Sequence, residues 1–180
     1  MGAPWVVMGL QHTPRSLGLL SYNLVRSAQD VEAQLMISIL QAWPSEADAL
    51  VTSALGEKFP ALLRLREGWL EGSNRFAGEG EALFAARLGS DLVGLCGINR
   101  DPFTTAEGVG RLRRLYVSPA CRRRGVGRAL VMAALAHAKA HFRTVRLRTD
   151  RTDANTFYLA LGFDCTRGDP DATHEIALVP

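Results

Sequence analysis

From Leu35 onward the apolar positions fall into short runs whose period switches between that of a strand and that of a helix. LMISIL, residues 35–40, is apolar and partly β-branched, stops before Trp43-Pro44, and predicts a first strand. Ser45 stands where an N-cap would, with Glu46 and Asp48 in the first turn of a helix to about Leu55. Leu62, Leu63, Leu65, Trp69 and Leu70 recur at helical spacing and predict a second helix ending near Gly72. LFAARL and LVGLCGI read as two antiparallel strands turned at Gly89-Ser90-Asp91. After the loop Asp101–Gly108, RLRRLYV alternates Arg with apolar residues, but Leu112 and Leu115 are out of phase, which predicts an irregularity in that strand. Arg124 to about His141 is an Ala-rich helix, TVRLRT a strand, and Asp153 the cap of a short helix ending at Gly162. The tail Phe163–Leu178 reads as two strands around Gly168-Asp169-Pro170-Asp171. The predicted order is β-α-α-β-β-β-α-β-α-β-β, a mixed α/β sheet with helices on its faces. Residues 1–33 lack a sustained period and read as an N-terminal extension with room for one short helix, leaving 34–180 as one domain.

Composition narrows the class without naming a function. The 180 residues are 47% hydrophobic and 22% charged, as in a globular domain, and no apolar run approaches the ~20 residues that cross a bilayer. The apolar start at Trp5–Leu10 is short and lacks the basic flank of a secretory signal, so the expectation is an intracellular, cytoplasmic protein with no membrane partner. Cys96, Cys121 and Cys165 form neither a disulfide framework nor a CxxC pair and are expected as free thiols. The net charge of +3 hides an asymmetry. Residues 111–151 hold eleven Arg and one Lys against Asp150, or +11, with −8 elsewhere.

The densest basic cluster, Arg122-Arg123-Arg124, abuts Gly125-Val126-Gly127 between a strand and a long helix. That arrangement suits a phosphate. The first N–H groups of a helix lack internal acceptors and the helix dipole is positive there. Gly125 and Gly127 permit close backbone approach, and Arg122, Arg123, Arg124 and Arg128 add charge. A nucleotide P-loop would need GxxxxGK followed by Ser or Thr, which the chain lacks, and a dinucleotide fingerprint would need glycine at 130, which is Leu130. His137 and His141 have the i, i+4 spacing of a metal pair, but HAKAH lacks the glutamate of HExxH and an evident third ligand, so no metal is expected.

Arg122–Gly127 fits the pattern Arg/Gln-x-x-Gly-x-Gly/Ala and, with LYV at 115–117 and YLALGF at 158–163, resembles the GNAT superfamily of N-acetyltransferases over about 35–180. The resemblance implies a GNAT-like mixed central sheet with helices on both faces and a V-shaped opening between the fourth and fifth strands. It implies acetyl-CoA as cosubstrate, its pantetheine arm against the backbone of Leu115, Tyr116 and Val117. Its pyrophosphate would lie on the backbone of Arg122, Arg123, Arg124, Gly125, Val126 and Gly127, with Arg128. Tyr158 would give a proton to the leaving thiolate, and the Val117 N–H would serve the carbonyl oxygen. Two positions depart from the family's pattern: Arg111 stands where many members have a glutamate base, and Arg151 where many have asparagine, with Asn155 nearby. Asp101, Glu107, His174 and Glu175 lie in segments that could reach the cleft.

The function expected is direct acetyl transfer to an amine acceptor. A coenzyme-A-binding module without catalysis is the alternative, and a nucleic-acid-binding domain is disfavoured because only Tyr116 and Phe142 accompany the twelve basic residues. Residues 44–81 hold seven acids against four bases, and 152–180 five acids against Arg167, which favours a cationic acceptor. An exposed sheet edge leaves a homodimer open.

Overall fold

A computed structural model describes residues 35–178, and the expected extension over 1–33 lies outside the described residues. Strand β1 (Leu35–Ile39) is followed by helices α1 (Ala47–Gly56) and α2 (Ala61–Glu71) and strands β2 (Ala82–Leu88), β3 (Asp91–Arg100) and β4 (Val109–Val117). A 3-10 turn at Pro119–Cys121 leads into α3 (Val126–Ala138), then β5 (Thr144–Leu147), α4 (Thr152–Leu159), β6 (Asp164–Cys165) and β7 (His174–Ala177). This is the order the hydrophobic periods predict. The seven strands form one sheet ordered β1-β2-β3-β4-β5-β7-β6, antiparallel throughout except for the parallel pair β4–β5, which α3 connects.

Alternation along the strands builds two cores. Phe84, Ala86, Ile98 and Leu112 meet Leu130, Val131, Ala134 and Tyr158 of α3 and α4 on one face. Leu83, Ala85, Leu95 and Tyr116 meet Leu50, Val51, Leu62 and Leu65 of α1 and α2 on the other. The central strand β3 is buried from Leu92 to Asn99, so it reads as a near-continuous apolar run. None of the described helices is long and apolar enough to cross a membrane.

Three local expectations fail for reasons of backbone hydrogen bonding. Ser45 does not cap α1: a turn of Ala47, Asp48 and Ala49 N–H onto the carbonyls three residues back leads into the helix, and the Ser45 hydroxyl meets Glu46 instead. Asp153 lies inside the first turn of α4, where its carboxylate accepts from the Ala154 N–H and from Arg151. Helix α3 runs from Val126 to Ala138 rather than from Arg124 to His141, because Gly125 at its N-cap is left-handed, φ 80°.

Candidate functional site

The irregularity signalled by Leu112 and Leu115 is a β-bulge. Arg113 pairs with Gly97 and Tyr116 with Leu95, so Arg114 and Leu115 both stand opposite Cys96, and Arg114 takes a left-handed φ of 62°. The extra residue puts Leu112 and Leu115 on the same core, and Tyr116 on the other. Beside the bulge the sheet parts. Strands β4 and β5 pair only at Val109–Thr144, Gly110–Val145 and Arg111–Arg146, and from Leu112 to Val117 β4 has no partner on that side. The expected opening between the fourth and fifth strands is therefore present.

Hydrogen-bond alternation shows which backbone groups face it. The Ser118 N–H donates to Val93 O at 2.8 Å, and Val117 is registered against Gly94. Val117 is then in a non-hydrogen-bonded pair, its N–H and C=O turned away from β3, while Tyr116 spends its own on Leu95. The Val117 carbonyl accepts from Arg122 Nε at 3.0 Å, and its N–H is directed into the opening.

The N-terminus of α3 lies at the same end. No side chain caps it, and the first main-chain N–H taken by a carbonyl there is that of Ala129, onto Gly125 O at 2.9 Å. The N–H groups of Val126, Gly127 and Arg128 have no acceptor among the described residues. A Cβ on Gly127 would approach Val117 at 3.7 Å and Phe157 at 3.6 Å, so this turn lies against both β4 and α4. Gly125 faces open space, and a Cβ placed there would meet nothing within 4 Å. Arg123, Arg124 and Arg128 form no ion pair among the described residues.

Arg122 is held differently. Its guanidinium takes both oxygens of Glu57, at 2.7 and 2.5 Å, and lies 5.5 Å from the centroid of the Tyr116 ring. The Tyr116 hydroxyl completes the group, 2.8 Å from Glu57 and 2.9 Å from Ser53, and its ring stacks on Phe59. Arg122, then Tyr116, hold the Glu57 carboxyl below the usual carboxylate range, while burial raises the Tyr116 phenol. This brace ties the end of α1 to β4 and to the turn before α3. Sequence spacing carried no sign of it, since Glu57 is 65 residues from Arg122.

Tyr158 is 8% exposed among Phe157, Phe163 and His174, with ring centroids 5.1, 5.5 and 5.9 Å away. Burial, and secondarily Cys96, pushes its phenol upward, so it stays protonated through neutral pH. The packing reading of Tyr158 is met: its ring belongs to the core that α3 and α4 form on one face of the sheet.

The residues weighed as bases are committed to internal partners or exposed to solvent. The Asp101 side chain is fully buried and meets Arg111 at 3.3 Å and Arg146 at 3.5 Å; Arg146 also pairs with Asp169. Arg111 further donates to Asp171 O at 2.7 Å and covers the Phe103 ring at 4.5 Å. Arg111 therefore clamps β4 to the loops beside it, which accounts for a cation at a place where the family often has glutamate. His174 is buried with its Nε2 2.9 Å from Asn155 and its Nδ1 2.9 Å from Thr173, and burial lowers its pKa. Asn155 is thereby used to join α4 to β7, Arg151 pairs with Asp153, and Glu107 and Glu175 are exposed. His137 packs on Phe84 and His141, and among the described residues no group of three or more His, Cys, Asp or Glu is placed to hold a metal ion. The cavity beside the bulge of β4 is cationic: Arg64, Arg100, Arg113 and Arg114 line it, with Glu81 as the one acid of its lining.

Comparison with known proteins agrees with this architecture. A proposed acetyltransferase from Exiguobacterium sp. 255-15 superposes with a TM-score of 0.71 at 25% identity, covering 79% of this chain and 93% of that one. Ard1 from Thermoplasma volcanium gives 0.61 at 21% identity over 82% of this chain and 99% of its own. A Tyr-to-Phe mutant of the toxin AtaT, bound to the C-terminus of the antitoxin AtaR and to acetyl-CoA, gives 0.62 at 18% identity over 81% and 94%. The latter two likenesses are of fold. No curated protein matches the sequence closely enough to count as a relative. The sequence model of the acetyltransferase (GNAT) family matches residues 43–163, from the entry to α1 through the end of YLALGF, and the chain belongs to that family.

Proposed function

We propose that the chain is an acetyl-CoA-dependent N-acetyltransferase that passes the acetyl group directly to an amine, with residues 34–180 as the catalytic unit and 1–33 as an extension to it. The observation that carries this reading is the coincidence of the β4–β5 opening, the outward Val117 N–H and the uncapped N-terminus of α3 at one end of the sheet. A similar fold that binds acetyl-CoA, in the AtaT structure, supports the choice of cosubstrate.

Acetyl-CoA supplies an acetyl thioester and a pyrophosphate. The residues present fit both. The free N–H groups of Val126, Gly127 and Arg128, with Arg123, Arg124 and Arg128, suit a doubly charged phosphate group. The exposed backbone edge from Leu115 to Val117 suits an amide-bearing arm, and Arg122 acts by bracing that edge through Glu57 and Tyr116. As the amine nitrogen bonds to the carbonyl carbon, the Val117 N–H donates to the oxygen on which negative charge grows. The C–S bond breaks, the Tyr158 hydroxyl protonates the departing sulfur, and the phenolate left behind takes a proton back from water. The proton lost by the amine leaves through water, because Asp101 and His174 are committed to internal partners.

The test is thiol release from acetyl-CoA with a panel of primary amines, each product checked by mass. Amine-dependent release with an acetylated product supports the reading. Tight coenzyme A binding with no acetylation of any amine class would instead favour a binding module.

A further inference from the structure

On the face of the sheet that carries α1 and α2, a cavity of about 440 Å³ opens between α2 and the bulge of β4. The bulge makes it cationic. In a regular strand consecutive side chains point to opposite faces, but here Arg113 and Arg114, adjacent in sequence, both line the same cavity. Arg64 joins them from α2 and Arg100 from the end of β3. None of the four makes an ion pair among the described residues, where seven other arginines do. The one acid of the lining, Glu81, directs its carboxylate to the backbone N–H groups of Arg100 at 3.0 Å and Gly78 at 3.3 Å. Asn74 and Asn99, also in the lining, are paired with one another.

Such a grouping is costly without a counter-charge. Arg113 and Arg114 are half-buried, and Arg114 holds the left-handed φ of 62° that a residue with a side chain adopts at a cost on the order of 1 kcal/mol or more. Burial, then Arg113 and Arg64, bring the Arg114 guanidinium down to about 10, and burial and Arg111 lower that of Arg113. A strained backbone that gathers like charges is the arrangement expected of an anion site. Its place is next to the cleft, for the bulge begins three residues beyond Arg111–Arg146, where β4 and β5 part. Arg114 and the Val117 N–H are three residues apart, on the order of 10 Å along a strand.

We propose that this cavity seats the anionic end of the acceptor, so that the amine acetylated by this chain is one that also carries a carboxylate or a phosphate. The inference rests on the proposed function for the identity of the amine's reaction, and on the cavity alone for its charge. A polyamine is disfavoured by the same four cations.

The experiment is calorimetric titration of the whole chain, saturated with coenzyme A so that the phosphate site at α3 is filled, with β-alanine, O-phosphoethanolamine, ethanolamine and spermidine. β-Alanine or O-phosphoethanolamine should bind more tightly than ethanolamine and spermidine, and the stronger of the two distinguishes a carboxylate from a phosphate acceptor. The Arg64→Gln/Arg113→Gln double variant should weaken that binding at least tenfold with the coenzyme A affinity changed less than twofold, and in turnover should raise KM more than it lowers kcat. The exposed Arg100→Gln provides the same comparison if the double variant does not fold. Equal binding of all four compounds, or anion binding unchanged in the variants, overturns the proposal. Failure of the wild-type chain to bind coenzyme A would count against the proposed function instead, and the same titrations on coenzyme-free protein would still decide the charge of the cavity.

Discussion

The Tyr158 hydroxyl and the Arg111 guanidinium show how differently single residues disclose their roles. YLALGF singled out Tyr158, whose role as proton donor is the proposal above; the structure shows it buried, with burial raising its phenol pKa so that the hydroxyl keeps its proton. Tyr158→Phe retains the ring contacts with Phe157, Phe163 and His174, so acetyl-CoA should bind with an unchanged Kd while turnover falls roughly 10²-fold, the low end for general acid catalysis. Full turnover in a single-turnover assay would return Tyr158 to a packing role. Arg111 could be seen only as a departure, because its partners Asp101 and Asp171 lie 10 and 60 residues away and are brought to it by the sheet. Arg111→Glu would set a second carboxylate against buried Asp101. It is expected to lower stability by about 3–5 kcal/mol, read as a reduced midpoint in denaturant titration, without raising turnover per folded molecule.

At the scale of elements, periodicity located every described strand and helix, and the phase slip between Leu112 and Leu115 located the bulge. Element ends were less legible. Ser45 and Asp153 are good capping residues by type, but main-chain turns and the neighbouring Arg151 claim the groups that capping would use. The brace between α1 and β4 was invisible because it joins a loop glutamate to a tyrosine and an arginine 59 and 65 residues on. Its pH dependence follows from the lowered Glu57 pKa. Such a group adds stability above its unfolded value near 4.5 and loses the contribution as pH falls through the lower folded value. The Glu57 and Arg122 side chains are 35% and 41% exposed, so screening limits the effect to about 0.5 kcal/mol. Thermal midpoints of wild type and Glu57→Gln should differ slightly at pH 7 and converge toward pH 3; a gap that widens on acidification would contradict the brace.

Over the whole molecule, the charge asymmetry read from sequence divides into four uses that composition cannot separate. Arg111 and Arg146 neutralise buried Asp101, Arg122 holds Glu57, Arg113 and Arg114 line the cavity beside α2, and Arg123, Arg124 and Arg128 stand in or beside the turn that opens α3. The Arg- and Gly-rich motif predicted a phosphate role for Arg122 together with Arg123, Arg124 and Arg128, and gave no sign of the Glu57 pairing; the cationic cavity at Arg113 and Arg114 was masked because alternation along a regular strand would send those two side chains apart. Charges at α3 act on phosphate through partly screened solvent, so acetyl-CoA affinity should fall as salt rises from 0.05 to about 0.5 M. The most direct test of the central claim is calorimetric titration of acetyl-CoA into wild type and Gly125→Val. A Cβ at Gly125 would meet no protein atom within 4 Å, so the main cost to folding is the positive φ, about 1–2 kcal/mol, while the side chain obstructs the approach of a phosphate to the turn. Wild type should bind acetyl-CoA, and folded Gly125→Val should bind it at least tenfold more weakly, about 1.4 kcal/mol; equal affinity of the two folded proteins would contradict the assignment of the α3 N-terminus as the pyrophosphate site.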